Sequence, residues 1–229
     1  MITLSKALTH APIPRGVSGT STTEPFRALA QRLRAVGESS GNVLKTVGVT
    51  SCSRGTGVSA MAANLAIGAA EVGDGPVLLV DLNVANPAQA GIFGMAGNLG
   101  LYDALSGAAP PSDCPKATSI ANLSLLAPSA THGFRSPDVD FSDVRELLDA
   151  YSTEFDLVVV DLPPASEANG CLATASSLSG VLFVVEAEHT RCEAATRALR
   201  RLAYARAKVL GVILNKRKEH IPHWLYKRL

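Results

Sequence analysis

One segment, residues 50–59 (TSCSRGTGVS), restricts the fold of this chain more than any other part of the sequence. It joins an apolar, strand-like run to a stretch with helical periodicity, and it contains Gly55 and Gly57. Such glycines let the backbone curl so that successive N–H groups point at one anion, and the start of the following helix adds partial positive charge. The segment therefore predicts a phosphate-binding loop. Val58 stands where a working loop of this kind has lysine, directly before Ser59.

Apolar runs alternate with helical stretches along the rest of the chain. We expect one helix from about Glu24 and others at about 59–72, 141–151 and 191–205. The predicted strands are mostly apolar throughout, as expected when helices cover both faces of a parallel sheet. This order favours an α/β fold with an open, doubly wound, mostly parallel sheet of the P-loop NTPase type. The predicted strands are 47–51, 77–81, 123–126, 157–161, 181–185 and 209–214.

Composition indicates how the chain is divided. Its 229 residues suit one α/β domain, which we place at residues 24–215. Residues 1–23 are rich in Ser, Thr, Pro and Gly and predict a flexible arm. Residues 216–229 form a basic tail containing Trp224, which either packs on the domain or a partner, or lies on an anionic membrane surface.

Charge and hydropathy exclude several classes of function. The formal net charge is +1, so we expect no nucleic-acid partner. No apolar run reaches the roughly 20 residues of a membrane-spanning helix, and residues 1–19 lack the apolar core of a signal peptide. We therefore expect a cytoplasmic protein. The four cysteines form no CxxC pair, which is typical of idle thiols rather than of a metal site.

Two acidic residues come at the ends of predicted strands. Asp81 ends the strand at 77–81, and Asp161 ends the strand at 157–161. In open α/β sheets ligands bind at the carboxyl ends of the strands, where the loop at 50–59 is also expected. The two carboxyl groups therefore indicate a metal site, in present use or inherited. The alternative is that each one only caps a turn or pairs with a nearby cation.

The order of these motifs resembles the bacterial tyrosine kinases (BY-kinases) of capsule and exopolysaccharide assembly. The same superfamily includes the division-site and plasmid-partition ATPases (MinD/ParA-like), which carry a lysine early in the loop where this chain has Ser53. The resemblance extends from about Glu24 to Asn215. Its further members are 62–66 (AANLA), Asn83, Pro87, 155–164 (FDLVVVDLPP) and 210–215 (LGVILN).

This resemblance implies a set of site residues and a cofactor, ATP or ADP with Mg²⁺. It places phosphate oxygens on the loop, with Mg²⁺ beside the loop serine and the two strand-end aspartates. It also places contacts between copies of the chain in the first helix. The residues implied are Arg54, Gly55, Thr56, Gly57, Val58 and Ser59 for phosphate; Ser59, Asp81 and Asp161 for the metal; Asn215 for the base; and Glu24 and Arg27 for the oligomer.

The sequence departs from the family pattern in each functional part. Val58 replaces the phosphate-binding lysine, and Asn83 replaces the second acid after the strand that ends in Asp81. Arg54 stands where the family usually has proline, and Ala30 replaces an arginine of the oligomer motif. The family's cluster of tail tyrosines is reduced to Tyr226, the one candidate phosphoacceptor in the tail.

Three functions remain open on this basis. The first is a catalytically impaired, pseudokinase-like regulatory or scaffold partner, with no cofactor or weakly bound nucleotide. It would dock on a membrane polysaccharide co-polymerase or another export-complex protein at the inner face of the membrane, and it could form a homo-oligomer. The second is an active ATPase or tyrosine autokinase in which Arg54 or Lys216 supplies the missing charge. The third is a MinD/ParA-like positioning protein attached through the basic tail.

Overall fold

The computed structural model describes residues 2–8, 23–39, 41, 43–73, 75–95, 99–129, 141–167 and 169–217. These residues form one eight-stranded sheet with helices on both faces. The strands are β1 (Ile2–Leu8), β2 (Thr46–Ser51), β3 (Val77–Asp81), β4 (Lys116–Ala117), β5 (Leu123–Leu126), β6 (Leu157–Asp161), β7 (Gly180–Glu186) and β8 (Val209–Asn215). The helices are α1 (Glu24–Ser39), α2 (Val58–Val72), α3 (Gln89–Phe93), α4 (Leu101–Ser106), α5 (Phe141–Glu154), α6 (Asn169–Ser177) and α7 (Cys192–Tyr204), with a 3-10 turn at Pro111–Asp113.

The sheet has the strand order β1-β8-β7-β2-β6-β3-β5-β4. All neighbouring strands are parallel except β4, which runs antiparallel to β5. The doubly wound, mostly parallel α/β fold predicted from the sequence is therefore confirmed. The six predicted strands and the four predicted helices are all present, with ends that differ by a few residues at most.

The central strands are apolar throughout because both of their faces are covered. In β3, Leu79 packs in the cluster beneath α1 and α2, while Leu78 and Val80 pack on the opposite face with α4 to α7. Every residue of β3 and of β6 is buried. Burying side chains on both faces supplies the main stabilisation of such a sheet.

Residues 2–8 form a strand, which differs from the prediction made from the sequence. We expected a flexible arm over residues 1–23, because no sustained periodicity is present there. The structure instead places Ile2–Leu8 in strand β1, parallel to β8 at the edge of the sheet. Strand β1 pairs on one side only, with β8, so it need not carry the continuous apolar run that marks the central strands. Residues 9–22 lie outside the described residues.

The short helices α3 and α4, helix α6 and strand β4 were not predicted, and α3 turns out to border the candidate site. Among the described residues, no helix combines the length and the apolar character needed to cross a membrane.

Candidate functional site

The loop at residues 52–57 connects β2 to α2 at the carboxyl edge of the sheet, as predicted. Gly55 and Gly57 have φ values of +80° and +89°, a region that side-chain-bearing residues rarely adopt. Gly57 is the N-cap of α2, and no side chain caps that end of the helix. The first N–H groups of α2 are therefore left for another acceptor. Val58 is the first residue of the helix, so an apolar side chain stands where the lysine would begin.

Asn215, at the end of β8, holds this loop from beneath. Its Nδ2 donates to the main-chain oxygen of Thr56 at 2.8 Å, and its Oδ1 accepts from the N–H of Lys216 at 2.8 Å. Thr56 and Asn215 are both buried. A side chain at Gly57 would collide with the Asn215 amide. Glycine is therefore required there for two reasons, the positive φ and this collision. The contact of Asn215 with a base, implied by the resemblance, stays a prediction.

Two basic side chains lie at the loop, and each is held by a carboxylate. Arg54 Nε donates to Glu167 Oε2 at 2.7 Å, with both side chains partly exposed. Lys216 Nζ donates to the main-chain oxygen of Gly55 at 2.6 Å and lies 3.1 Å from Glu186 Oε1. Lys216 directly follows the carboxyl end of β8 and reaches the loop from there. Its ammonium group, however, faces a carbonyl oxygen and a carboxylate.

Asp81 has a structural task in this site. Its Oδ1 accepts from the N–H of Asn83, and its Oδ2 accepts from the N–H groups of Ala88 and Gln89 at 2.9 and 3.0 Å. Burial raises the pKa of Asp81, and these three hydrogen bonds oppose part of the rise. The carboxyl group therefore fixes the turn between β3 and α3, which is the capping role considered as the alternative above.

Asp161 lies beside Asp81, since the two residues are register partners on the parallel strands β6 and β3. Both are fully buried. Burial and the neighbouring Asp81 carboxyl raise the pKa of Asp161 to about 7, and the Ser59 and Gln89 side chains oppose the rise. Asp161 Oδ1 is buried and accepts no hydrogen bond from any described residue. The predicted grouping of Ser59, Asp81 and Asp161 is present in the fold.

Gln89 is the residue of this site that sequence reasoning missed. It is fully buried, and its Nε2 donates to Asp161 Oδ2 at 2.7 Å and to the main-chain oxygen of Ser59 at 3.0 Å. No motif marks Gln89, because it enters the site only when α3 folds back over the ends of β3 and β6. In the sequence it is one polar residue eight positions after the acid-ended strand 77–81, which is no signal for a site.

A divalent cation bound directly to both aspartates does not fit these residues as they are arranged. Hard cations such as Mg²⁺ need free oxygen ligands. Here Asp161 Oδ2 and the Ser59 main-chain oxygen accept from the Gln89 amide, and both oxygens of Asp81 accept main-chain N–H groups. The remaining buried acceptors are Asp161 Oδ1 and Gln89 Oε1. Among the described residues, no group of three or more His, Cys, Asp or Glu side chains is placed to hold a metal.

The other residues implied by the resemblance lie away from the loop. Glu24 is exposed in the first turn of α1. Arg27 Nε lies 3.5 Å from Glu71 Oε2 of α2, so it pairs within its own chain, and Ala30 is buried. Their role in an oligomer stays a prediction. Tyr226 lies outside the described residues.

A strand–loop–helix connection with two left-handed glycines at the carboxyl edge of a parallel sheet, beside two strand-end aspartates, is the arrangement of the P-loop NTPases. Residues 42–225 match the family model described as ParA, NUBPL iron-transfer P-loop NTPase, and the chain belongs to that family.

Within this family the chain is similar to bacterial tyrosine kinases, as its motif order predicted. It is 25% identical over 201 residues to the tyrosine-protein kinase CpsD of Streptococcus agalactiae, a match that covers 87% of this chain and 86% of CpsD. The fold is that of the chimerical protein CapA2B2, with a TM-score of 0.74, 24% identity and coverage of 87% and 86%.

The same fold occurs in the division-site branch. The septum site-determining protein MinD of Pyrococcus horikoshii, solved in complex with Mg-ADP, has a TM-score of 0.67 and 22% identity, with 80% of this chain and 76% of MinD covered. At such identity the likeness concerns the fold alone.

Proposed function

We propose that this chain is a catalytically impaired relative of the bacterial tyrosine kinases. It acts as a regulatory or scaffold partner in capsule or exopolysaccharide assembly and export. The observation that carries the proposal is the lack of an unpaired positive charge at the phosphate loop among the described residues. Valine occupies the first helical position, and the cations Arg54 and Lys216 are each engaged by a carboxylate.

The binding energy lost with the lysine is large compared with what Arg54 and Lys216 could contribute in its place. A charge-assisted hydrogen bond to phosphate contributes about 1.5–3 kcal/mol to binding. If Lys216 turned to a phosphate, it would give up Gly55 and leave the carboxylate of Glu186 facing the anion. Arg54 is easier to release, because an exposed ion pair is worth only about 0–1 kcal/mol. The Arg54 side chain is 60% exposed, however, so water and salt weaken the attraction of its charge for a phosphate.

The proposed partners follow from the relatives. Curated relatives of this chain are named tyrosine-protein kinases, and the resemblance links that family to membrane polysaccharide co-polymerases. We place this chain at the inner face of the membrane, bound to such a co-polymerase or to another export-complex protein. A homo-oligomer is compatible with the exposed Glu24 at the start of α1. Nucleotide is absent or weakly bound, and nucleic acid is not a ligand.

Complementation tests this proposal. In a strain that lacks the gene, the wild-type chain and the Ser59→Ala variant are expected to restore polysaccharide yield and chain length equally. The reason is that a scaffold needs the fold but not the group that would face Mg²⁺. Loss of the polymer with Ser59→Ala, at unchanged protein level, would show that the site works chemically. The empty vector serves as the negative control.

One observation favours a second candidate, an active ATPase. Lys216 Nζ lies 2.6 Å from the main-chain oxygen of Gly55, close enough for a modest rotation to bring it to a loop-bound phosphate. Under this alternative, Lys216→Met abolishes ATP turnover by the purified chain. Under the favoured proposal there is no turnover for Lys216→Met to remove.

A further inference from the structure

Gln89 makes direct hydrogen bonds to all three residues predicted to hold a metal. Its main-chain N–H donates to Asp81 Oδ2 at 3.0 Å. Its side-chain amide donates to the main-chain oxygen of Ser59 at 3.0 Å and to Asp161 Oδ2 at 2.7 Å. The residue is fully buried, and it joins the start of α2 to the ends of β3 and β6.

The chemistry of the amide explains why these contacts matter. A carboxamide NH₂ group has two hydrogens, and here each one meets an oxygen. It therefore supplies partial positive charge to Asp161 Oδ2, as a bound cation would, and it ties that carboxylate to the main chain of Ser59. The amide oxygen of Gln89 has no hydrogen to donate, so it cannot make these two contacts. Turning the amide over would bring Gln89 Oε1 against Asp161 Oδ2, an arrangement that needs either a cation or a proton of the Asp161 carboxyl group between the two oxygens.

We infer that the carboxamide of Gln89 takes the place of a divalent cation in this site, so that Ser59, Asp81 and Asp161 are held together without a metal. The phosphate loop then keeps its position through fixed hydrogen bonds and does not depend on Mg²⁺. This inference is independent of the proposed function, because a scaffold could operate with or without a bound cation.

Mn²⁺ is a suitable probe, since it accepts the same hard oxygen ligands as Mg²⁺ and binding removes the electron paramagnetic resonance signal of the free ion. Wild type is expected to leave that signal unchanged. Gln89→Ala frees Asp161 Oδ2 and the main-chain oxygen of Ser59, and it is expected to bind Mn²⁺ with an affinity at least about tenfold above the detection limit that wild type fails to reach. The double variant Gln89→Ala/Asp161→Asn is expected to return to the wild-type level, because it lacks the carboxylate. The matched control is Gln31→Ala, which removes an exposed glutamine of α1 and leaves binding as in wild type.

Two results would overturn the inference. One is binding of Mn²⁺ by wild type that Asp161→Asn removes. The other is a folded Gln89→Ala protein, checked by circular dichroism, that binds no better than wild type. If Gln89→Ala does not fold, Gln89→Glu replaces it, since this variant keeps the side-chain size and offers a carboxylate. Failure of a folded Gln89→Glu protein to gain Mn²⁺ binding would overturn the inference equally.

Discussion

The ammonium group of Lys216 lies 2.6 Å from the main-chain oxygen of Gly55, and the carboxylate of Glu186 flanks it at 3.1 Å. Through this contact the end of β8 and the end of β7 are tied to the phosphate loop after β2. The ammonium group of Lys216 is thus used to fix the loop itself. A lysine in the usual position would point into the anion site, whereas this one holds the rim.

Replacing Lys216 with methionine tests whether that contact fixes the loop. The variant removes the donor to Gly55 and the partner of Glu186 while keeping a long side chain. We expect faster hydrogen exchange of the loop amides at residues 53–57, with a loss of about 1 kcal/mol or less in the free energy of unfolding. Lys208→Met is the matched control, because Lys208 is an exposed lysine just before the opposite end of β8. Equal exchange in both variants would show that the contact does not restrain the loop.

The two loop glycines should respond differently to alanine. Both have positive φ, but a side chain at Gly55 meets open space, whereas one at Gly57 collides with the Asn215 amide. Gly55→Ala is expected to lower the free energy of unfolding by about 1–2 kcal/mol, the cost of left-handed backbone. Gly57→Ala is expected to cost clearly more, because it must also displace a buried hydrogen-bonded group. Urea denaturation of both variants measures the difference, and equal losses would contradict the packing of Asn215 under Gly57.

Asp161 should make stability fall as the pH rises. Its folded pKa of about 7 lies above the ordinary value of 3.8, so the folded chain holds this proton more tightly than the unfolded chain. The stabilising contribution of the group is full below the unfolded pKa and is lost as the pH rises through the folded pKa. Asp161→Asn is neutral at every pH. We therefore expect this variant to be more stable than wild type at about pH 8 and to show a flatter pH profile.

The measurement is the free energy of unfolding of wild type and variant across this pH range. Asp143→Asn, at an exposed position of α5, controls for the loss of one carboxylate. A wild-type profile that rises between about pH 5 and pH 8 relative to Asp161→Asn would contradict the raised pKa.

The sequence predicts the central sheet well because its strands carry a strong signal. Runs such as 157–161 are apolar throughout and end in an acid, and burial on both faces of a parallel sheet requires that composition. The edge strand Ile2–Leu8 is different, since it pairs on one side only, with β8, and carries no continuous apolar run. The two-residue strand Lys116–Ala117 is too short for any periodicity to show.

The candidate site is predictable only in part, for a related reason. Local patterns mark the loop glycines and the two aspartates. The role of Gln89 depends on how α3 returns to the sheet, which is a property of the tertiary fold. Lys216, which contacts Gly55, has a left-handed backbone with φ of +56°. Lysine rarely adopts this conformation, so the sequence does not predict the contact.

Calorimetric titration with ATP and with ADP, each with Mg²⁺, tests the central claim most directly. The proteins are wild type, Val58→Lys and, as a control for side-chain length without charge, Val58→Met. The account predicts no saturable heat with wild type or Val58→Met, and saturable binding with Val58→Lys, because the fold keeps the phosphate loop and this variant restores the charge that the loop lacks. Micromolar binding of either nucleotide by the wild-type chain would contradict it and would favour the active ATPase.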